Sequence, residues 1–169
     1  MMKKFFIVAL SILLSGPLCA EKADRDKPIS LSSEKAAFDD VKQIYILEKN
    51  VLLIKGTIVI KGDYAEVKID PEGYQFAVVQ AKNGLASLRQ KRDTGQDLFI
   101  EGQSKIIEYD AKKETVVLID DARMYQITGT KVTDKIHGER IIYNSYTEKY
   151  FAQSQSSTKT ILSPKRRDN

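Results

Sequence analysis

The chain alternates short apolar runs with polar punctuation at a spacing that suits strands. From Ile29 onward, Ile44–Leu47, Val51–Ile54, Ile58–Ile60 and Val67–Ile69 are rich in β-branched and aromatic residues. Between them stand turn formers at 48–50 (EKN), 55–56 (KG), 61–63 (KGD) and 70–73 (DPEG). Runs of this kind, spaced about 8–12 residues apart, predict an all-β sandwich, jelly roll or barrel. The pattern continues through Tyr74–Ala81, Leu85–Arg89, Leu98–Glu101, Thr115–Ile119, Ile141–Tyr143 and Thr158–Leu162. Residues 32–38 could form one helical turn, but the flanking strands argue against it. No low-complexity linker divides the chain, so one domain is expected.

Two stretches repeat one another. SEKAAFD at 33–39 and SKIIEYD at 104–110 each place an aromatic before Asp, ahead of a polar turn and an apolar run. The matches continue in order. Tyr45-Ile46-Leu47 answers Val116-Val117-Leu118, Gly56-Thr57 answers Gly129-Thr130, and Gly62-Asp63 answers Gly138-Glu139. Last, Glu72-Gly73-Tyr74 answers Glu148-Lys149-Tyr150. Two units of about four strands each, joined by residues 82–102, predict an elongated antiparallel structure whose second half echoes the first. In this frame Asp39 and Asp110 begin turns, and the pairs Asp39-Asp40 and Asp120-Asp121 are turn residues rather than paired acids.

The N-terminus changes the picture of the charge. Lys3 and Lys4 precede an apolar run at 5–14 (FFIVALSILL), then a breaker and small residues at 15–20 (SGPLCA). This predicts a secretory signal peptide over 1–20, cut after Ala20. The run is about half the length that spans a bilayer. Lipid attachment at Cys19 would call for a small residue before it, and Leu18 is not small, so release is expected rather than anchoring. The rest has no cysteine, which excludes disulfides and thiol chemistry after cleavage. Lys3 and Lys4 supply half of the formal charge of +4, and Lys165-Arg166-Arg167 lies in a basic tail at 165–169. The basic pI is therefore no sign of a nucleic-acid partner. His137 is the lone histidine and has no companions at metal-ligand spacing. No Ser-His-Asp arrangement, HExxH or phosphate-cradling loop occurs, so neither catalysis, metal nor cofactor is expected.

Five segments carry a resemblance: DRDKPISLSSEKAAFDD (24–40), NVLLIKGTIVIKGDYAEV (50–67), ASLRQKR (86–92), EGQSKIIEYD (101–110) and VVLIDDA (116–122). In this order they resemble the OstA-like family of periplasmic lipopolysaccharide-transport bridge proteins, over 24–164. Members often carry Gly-Asn before the apolar run. Here EKN and IDD stand there, and Asn and Asp are the residues that best tolerate positive φ in place of glycine. The resemblance implies one domain over 21–164, an elongated, incompletely closed antiparallel β-jelly roll built from two similar halves and open at both ends. Its apolar interior would shield the acyl chains of lipid A in the periplasm. An acyl chain of a dozen carbons costs roughly 10 kcal/mol to hold in water, so such a lipid needs a covered path.

On the matching positions, the resemblance places Ile29 and Leu31 at the mouth and Phe38 and Tyr109 as equivalent interior aromatics. Tyr45, Leu47, Val51, Leu53, Ile58, Ile60 and Val67 would line the first half, and Leu88, Val116, Leu118 and Met124 the rest. A dry packed core would show the same periodicity. Arg89, Lys91 and Arg92 could face lipid phosphates, against the plainer reading of a solvated turn. Ile29-Ser30-Leu31 and Thr160-Ile161-Leu162 would be exposed assembly edges. Through them the family implies a head-to-tail homo-oligomer and contacts with inner-membrane and outer-membrane transport components. A self-associating β-scaffold without lipid, or a soluble carrier of another apolar ligand, are the competing functions.

Overall fold

The computed structural model describes residues 24, 27–92 and 97–162; the expected signal peptide and the basic tail lie outside them. Twelve strands follow in order: β1 (Ile29–Ser32), β2 (Lys35–Asp39), β3 (Ile44–Lys55), β4 (Ile58–Ile69), β5 (Gln75–Gln80) and β6 (Ala86–Lys91). Then come β7 (Leu98–Ser104), β8 (Ile106–Asp110), β9 (Thr115–Thr128), β10 (Lys131–Asn144), β11 (Lys149–Gln153) and β12 (Lys159–Ile161). Every ladder is antiparallel. Residues 32–38 hold the end of β1, a bend and most of β2, not a helical turn.

Two of the expected turns are not turns. Residues 48–50 lie within β3 and 61–63 within β4; the same holds for Asp120-Asp121 in β9. Along β3 and β4 the register steps between Glu48↔Tyr64 and Val51↔Gly62, so Lys49 and Asn50 together oppose Asp63 alone. In the second half Asp120 and Asp121 oppose Glu139 alone, between Arg140↔Ile119 and Gly138↔Ala122. All four bulge residues have φ between 51° and 62°. Asn and Asp take this conformation most readily among residues with a Cβ, and such a bulge bends the strand.

The bends divide four long strands between two layers. One layer runs β1, β3 beyond the bulge, the start of β4, β6, β7, the end of β9, the start of β10 and β12. The other runs β2, the start of β3, the end of β4, β5, β8, the start of β9, the end of β10 and β11. The layers are hinged along the bulges, and at the opposite margin no ladder joins them among the described residues. The jelly roll is thus incompletely closed, as expected.

The duplication is a six-strand unit. In each half a short strand pairs with the far part of the first long strand (β1 with β3, β7 with β9) and a second with its near part (β2, β8). The second long strand then carries two partners, β5 and β6 in one half, β11 and β12 in the other. Asp39 and Asp110 do begin equivalent turns: their Oδ1 atoms accept the backbone N–H of Lys42 and Lys113, at 3.0 and 2.9 Å. Burial pushes the Asp110 carboxyl up, but the Lys113 hydrogen bonds outweigh it and hold it below the usual range. The fifth sequence match fails, because Tyr74 precedes β5 whereas Tyr150 is the second residue of β11.

Inward residues of the two layers form one apolar core, including Leu53, Ile60, Val67, Val79, Ile107, Leu118 and Ile141. Gly62 lies at the vertex, where a Cβ would stand 2.6 Å from Val79 Cγ1 and 2.8 Å from the Gln80 carbonyl oxygen. Its counterpart Gly138 meets the carbonyl of Gln153, the equivalent residue, at 3.0 Å. Backbone this close leaves room for no side chain. Gly62→Ala should therefore cost about 1–3 kcal/mol, read as a lowered urea midpoint. The exposed Lys61→Ala should shift stability by no more than about 0.5 kcal/mol; equal effects would refute the close-approach account.

Candidate functional site

The interior of the roll is the candidate site, because alternation along every strand directs one set of side chains into it. Of the residues expected there, Leu47, Val51, Leu53, Ile58, Ile60, Val67, Leu88, Tyr109, Val116, Leu118 and Met124 are buried. Ile29, Leu31 and Tyr45 are half-buried against them at one end. Phe38 stands opposite Tyr45 in the ladder and stacks on it, centroids 4.1 Å apart, yet it is 46% exposed because β2 is an edge strand. Its counterpart Tyr109 on β8 is 3% exposed, with β5 and β9 on either side. Sequence reasoning omitted Ala77, Val79, Ile100, Ile107, Ile141 and Tyr143, all buried; each follows the two-residue period of its strand.

What the sequence did not reveal is that one margin of this interior is polar. Lys55, Gln90, Arg92 and Gln126 are buried at the tips of β3, β6 and β9. Lys55 and Arg92 meet the tips of the other layer across the seam. Lys55 Nζ donates to Gln75 Oε1 at 3.3 Å and to the Lys27 carbonyl at 2.9 Å. Asp24 enters between the layers, its carboxylate held by Thr57. Arg92 pairs with Glu148, and its Nη1 lies 3.4 Å from Gln126 Oε1. Tyr109 shows the electrostatics of the seam: burial, then the charges of Asp24, Glu114 and Asp110, push its phenol far above the usual range. Period two gives the missed signal, since Lys55, Gln90 and Gln126 each follow an inward Leu53, Leu88 or Met124 by two residues.

The three basic residues expected to act together are separated. Arg89 lies on the outer face, 2.5 Å from Glu101 Oε1 and 4.2 Å above the Phe99 ring. Lys91 is also outward and exposed. Only Arg92, 7% exposed, turns inward. His137 Nε2 lies 3.2 Å from Asp121, which also accepts Arg123 at 2.7 Å. Burial would raise the Asp121 carboxyl, but the bonds from Arg123 and His137 lower it on balance. Among the described residues no three His, Cys, Asp or Glu groups gather as metal ligands, and no helix is long and apolar enough to cross a membrane.

Both ends of the sheet are open. At one end β1 and β2 have β3 as their ladder partner, and at the other β11 and β12 have β10. Thr160, Ile161 and Leu162 are exposed there, Leu162 at 70%. Phe151, Tyr150 and Tyr146, on β11 and the turn before it, are also exposed.

Hinged layers, an apolar interior and open edges define an incompletely closed β-jelly-roll domain rather than a closed barrel. The chain belongs to the family described as LptA/(LptD N-terminal domain) LPS transport protein, which matches residues 30–149. It is 29% identical over 162 residues to the lipopolysaccharide export system protein LptA of Escherichia coli K12, covering 94% of this chain and 83% of that one. With LptA of Haemophilus influenzae the identity is 25% over 164 residues, 95% and 91% of the two chains. The fold matches the crystal structure of LptH, the LptA-homologous periplasmic component of the lipopolysaccharide transport device of Pseudomonas aeruginosa. That match has a TM-score of 0.73 at 23% identity and covers 83% of this chain and 99% of LptH.

Glu148→Ala tests the seam. It leaves the buried Arg92 guanidinium without its carboxylate and should cost about 3 kcal/mol in urea denaturation. Removing both charges, as Arg92→Met with Glu148→Leu, should restore most of that loss; two additive losses would show that the pair is not coupled.

Proposed function

We propose that the chain is exported to the periplasm behind its N-terminal signal peptide. There it carries lipopolysaccharide with the acyl chains of lipid A between the two layers. Copies joined head to tail bridge inner-membrane and outer-membrane transport components. The names of the relatives support the transport part. The continuous apolar interior supports lipid burial, at about 0.8 kcal/mol per CH₂ removed from water. Because that interior is filled by its own side chains, the lipid enters as the layers part along the polar seam.

The observation that carries the bridging part is the junction between the halves. The halves meet through β5–β8 and β6–β7. The free edges β11 and β12 are the counterparts of β5 and β6, and β2 and β1 those of β8 and β7. A second copy can therefore repeat the internal junction. Transferring its register sets Lys149 opposite Asp39, Tyr150 opposite Phe38 and Ala152 opposite Ala36 of the next copy. It also sets Thr160 opposite Leu31, and Leu162 opposite Ile29. Charges match, the exposed aromatics meet, and the inward face of each strand continues that of the next. A heterologous contact of this kind does not close on itself.

Two experiments test the reading. A photo-cross-linking residue at Leu88 or Tyr109 should take up lipopolysaccharide in cells, whereas adducts only at outward Lys61 would refute an interior path. Mixed Ala152→Cys and Ala36→Cys proteins should form a disulfide dimer, and Ala152→Cys with Ala37→Cys should not. Lipid-free oligomers with no lipopolysaccharide adduct anywhere would instead favour a self-associating scaffold, and a monomer at all concentrations a carrier of another ligand.

A further inference from the structure

The Asp24 carboxyl sits in a site built around it. Its Oδ1 accepts the Thr57 backbone N–H at 2.7 Å, and its Oδ2 accepts the Thr57 hydroxyl at 2.5 Å. The Gln90 carboxamide nitrogen lies 3.5 Å from the same Oδ2. The socket requires glycine at 56 on two counts. Its φ is +58°, and a Cβ would fall 1.8 Å from Asp24 Oδ1. Asp24 is 4% exposed and Gln90 fully buried.

A carboxylate does not complete this site. Gln90 Oε1, an acceptor, is buried without a hydrogen-bond partner. A carboxylate offers only acceptors, so Asp24 cannot answer the oxygen end of Gln90. A phosphate borne on a sugar can. Its oxygens suit the Thr57 and Gln90 donors, and a neighbouring hydroxyl can donate to Gln90 Oε1. The socket opens on a cavity also lined by Ile58, Tyr109 and Glu114, at the boundary between apolar interior and polar seam. An amphiphile with its acyl chains inside would bring its headgroup to this boundary.

We propose that Thr57, Gln90 and Gly56 form a subsite for the sugar phosphate of the carried glycolipid, and that Asp24 fills it until the lipid displaces it. The inference rests on the transport reading above. Its test compares bis-phosphorylated lipid A with the same lipid after phosphatase treatment, by fluorescence-detected binding to the purified full chain. In Asp24→Ala the preference for the phosphorylated lipid should rise by about fivefold, the worth of roughly one hydrogen bond. Adding Thr57→Val should abolish that gain. Where Asp24→Ala does not fold, Asp24→Asn keeps the shape without the charge and should raise the preference in the same direction. An unchanged or lowered preference, or a gain that survives Thr57→Val, overturns the subsite while leaving lipid transport intact. Inorganic phosphate bound by Asp24→Ala as tightly as the lipid makes it a free-phosphate site and also overturns the assignment. Binding of neither lipid by any form, wild type included, removes the transport reading itself.

Discussion

The structure depends on one constraint: four long strands must bend at the same level, and their inward residues must stay inward across the bend. The two-against-one bulges satisfy it. On β3 the inward positions run Tyr45, Leu47, then Val51, Leu53; on β4 they run Ile58, Ile60, Gly62, then Ala65, Val67. The extra residue on β3 thus matches a change of phase on β4. Without it, one layer would present its polar side to the core, because a slip of one residue exchanges the two faces of a strand. Gly62 and Gly138 serve the same end, since they stand where the layers converge on backbone.

Duplication gives both halves this device, but neighbours decide what equivalent residues become. Phe38 and Tyr109 share a register position, a ring and a following Asp turn. One is an exposed edge residue and the other is core, because only β8 has a strand on each side. A six-strand unit that ends in two unpaired strands presents an edge at each end however often it is repeated. The exposed Phe38, Tyr150 and Leu162 are what the interior of such a unit looks like where it stops.

Strand content, the repeat and most interior positions were legible because alternation and turn residues act locally. The Asp39 and Asp110 turns were readable for the same reason. Residues 48–50 and 61–63 misled because Asn, Asp and Gly supply positive φ or tight approach in bulges as well as in hairpins. Only the partner strand distinguishes the two, and that is a long-range fact. The match of Tyr74 with Tyr150 failed because sequence similarity cannot count loop residues. The polar seam was hidden by an assumption: Lys55, Gln90 and Arg92 follow the inward period, but long polar side chains are read as outward. Their burial depends on partners more than thirty residues away in several cases, such as Gln126 for Arg92 and Asp24 for Gln90.

The polar margin also bears on which side of the roll would part in the proposed function. Separating the layers at the hinge would break ladders in four strands at once, each bond costing about 1 kcal/mol net. At the seam the ties are side-chain contacts: Lys55 with Gln75 and Arg92 with Glu148. Water can replace those partners on opening, which it cannot do for the exposed apolar core. The amphiphile of the proposed function would compensate both, because acyl chains would cover the apolar faces while its headgroup met the polar rims. The arrangement is therefore asymmetric about the core: a covalent, laddered hinge on one side, and on the other a margin that an amphiphile is chemically suited to replace.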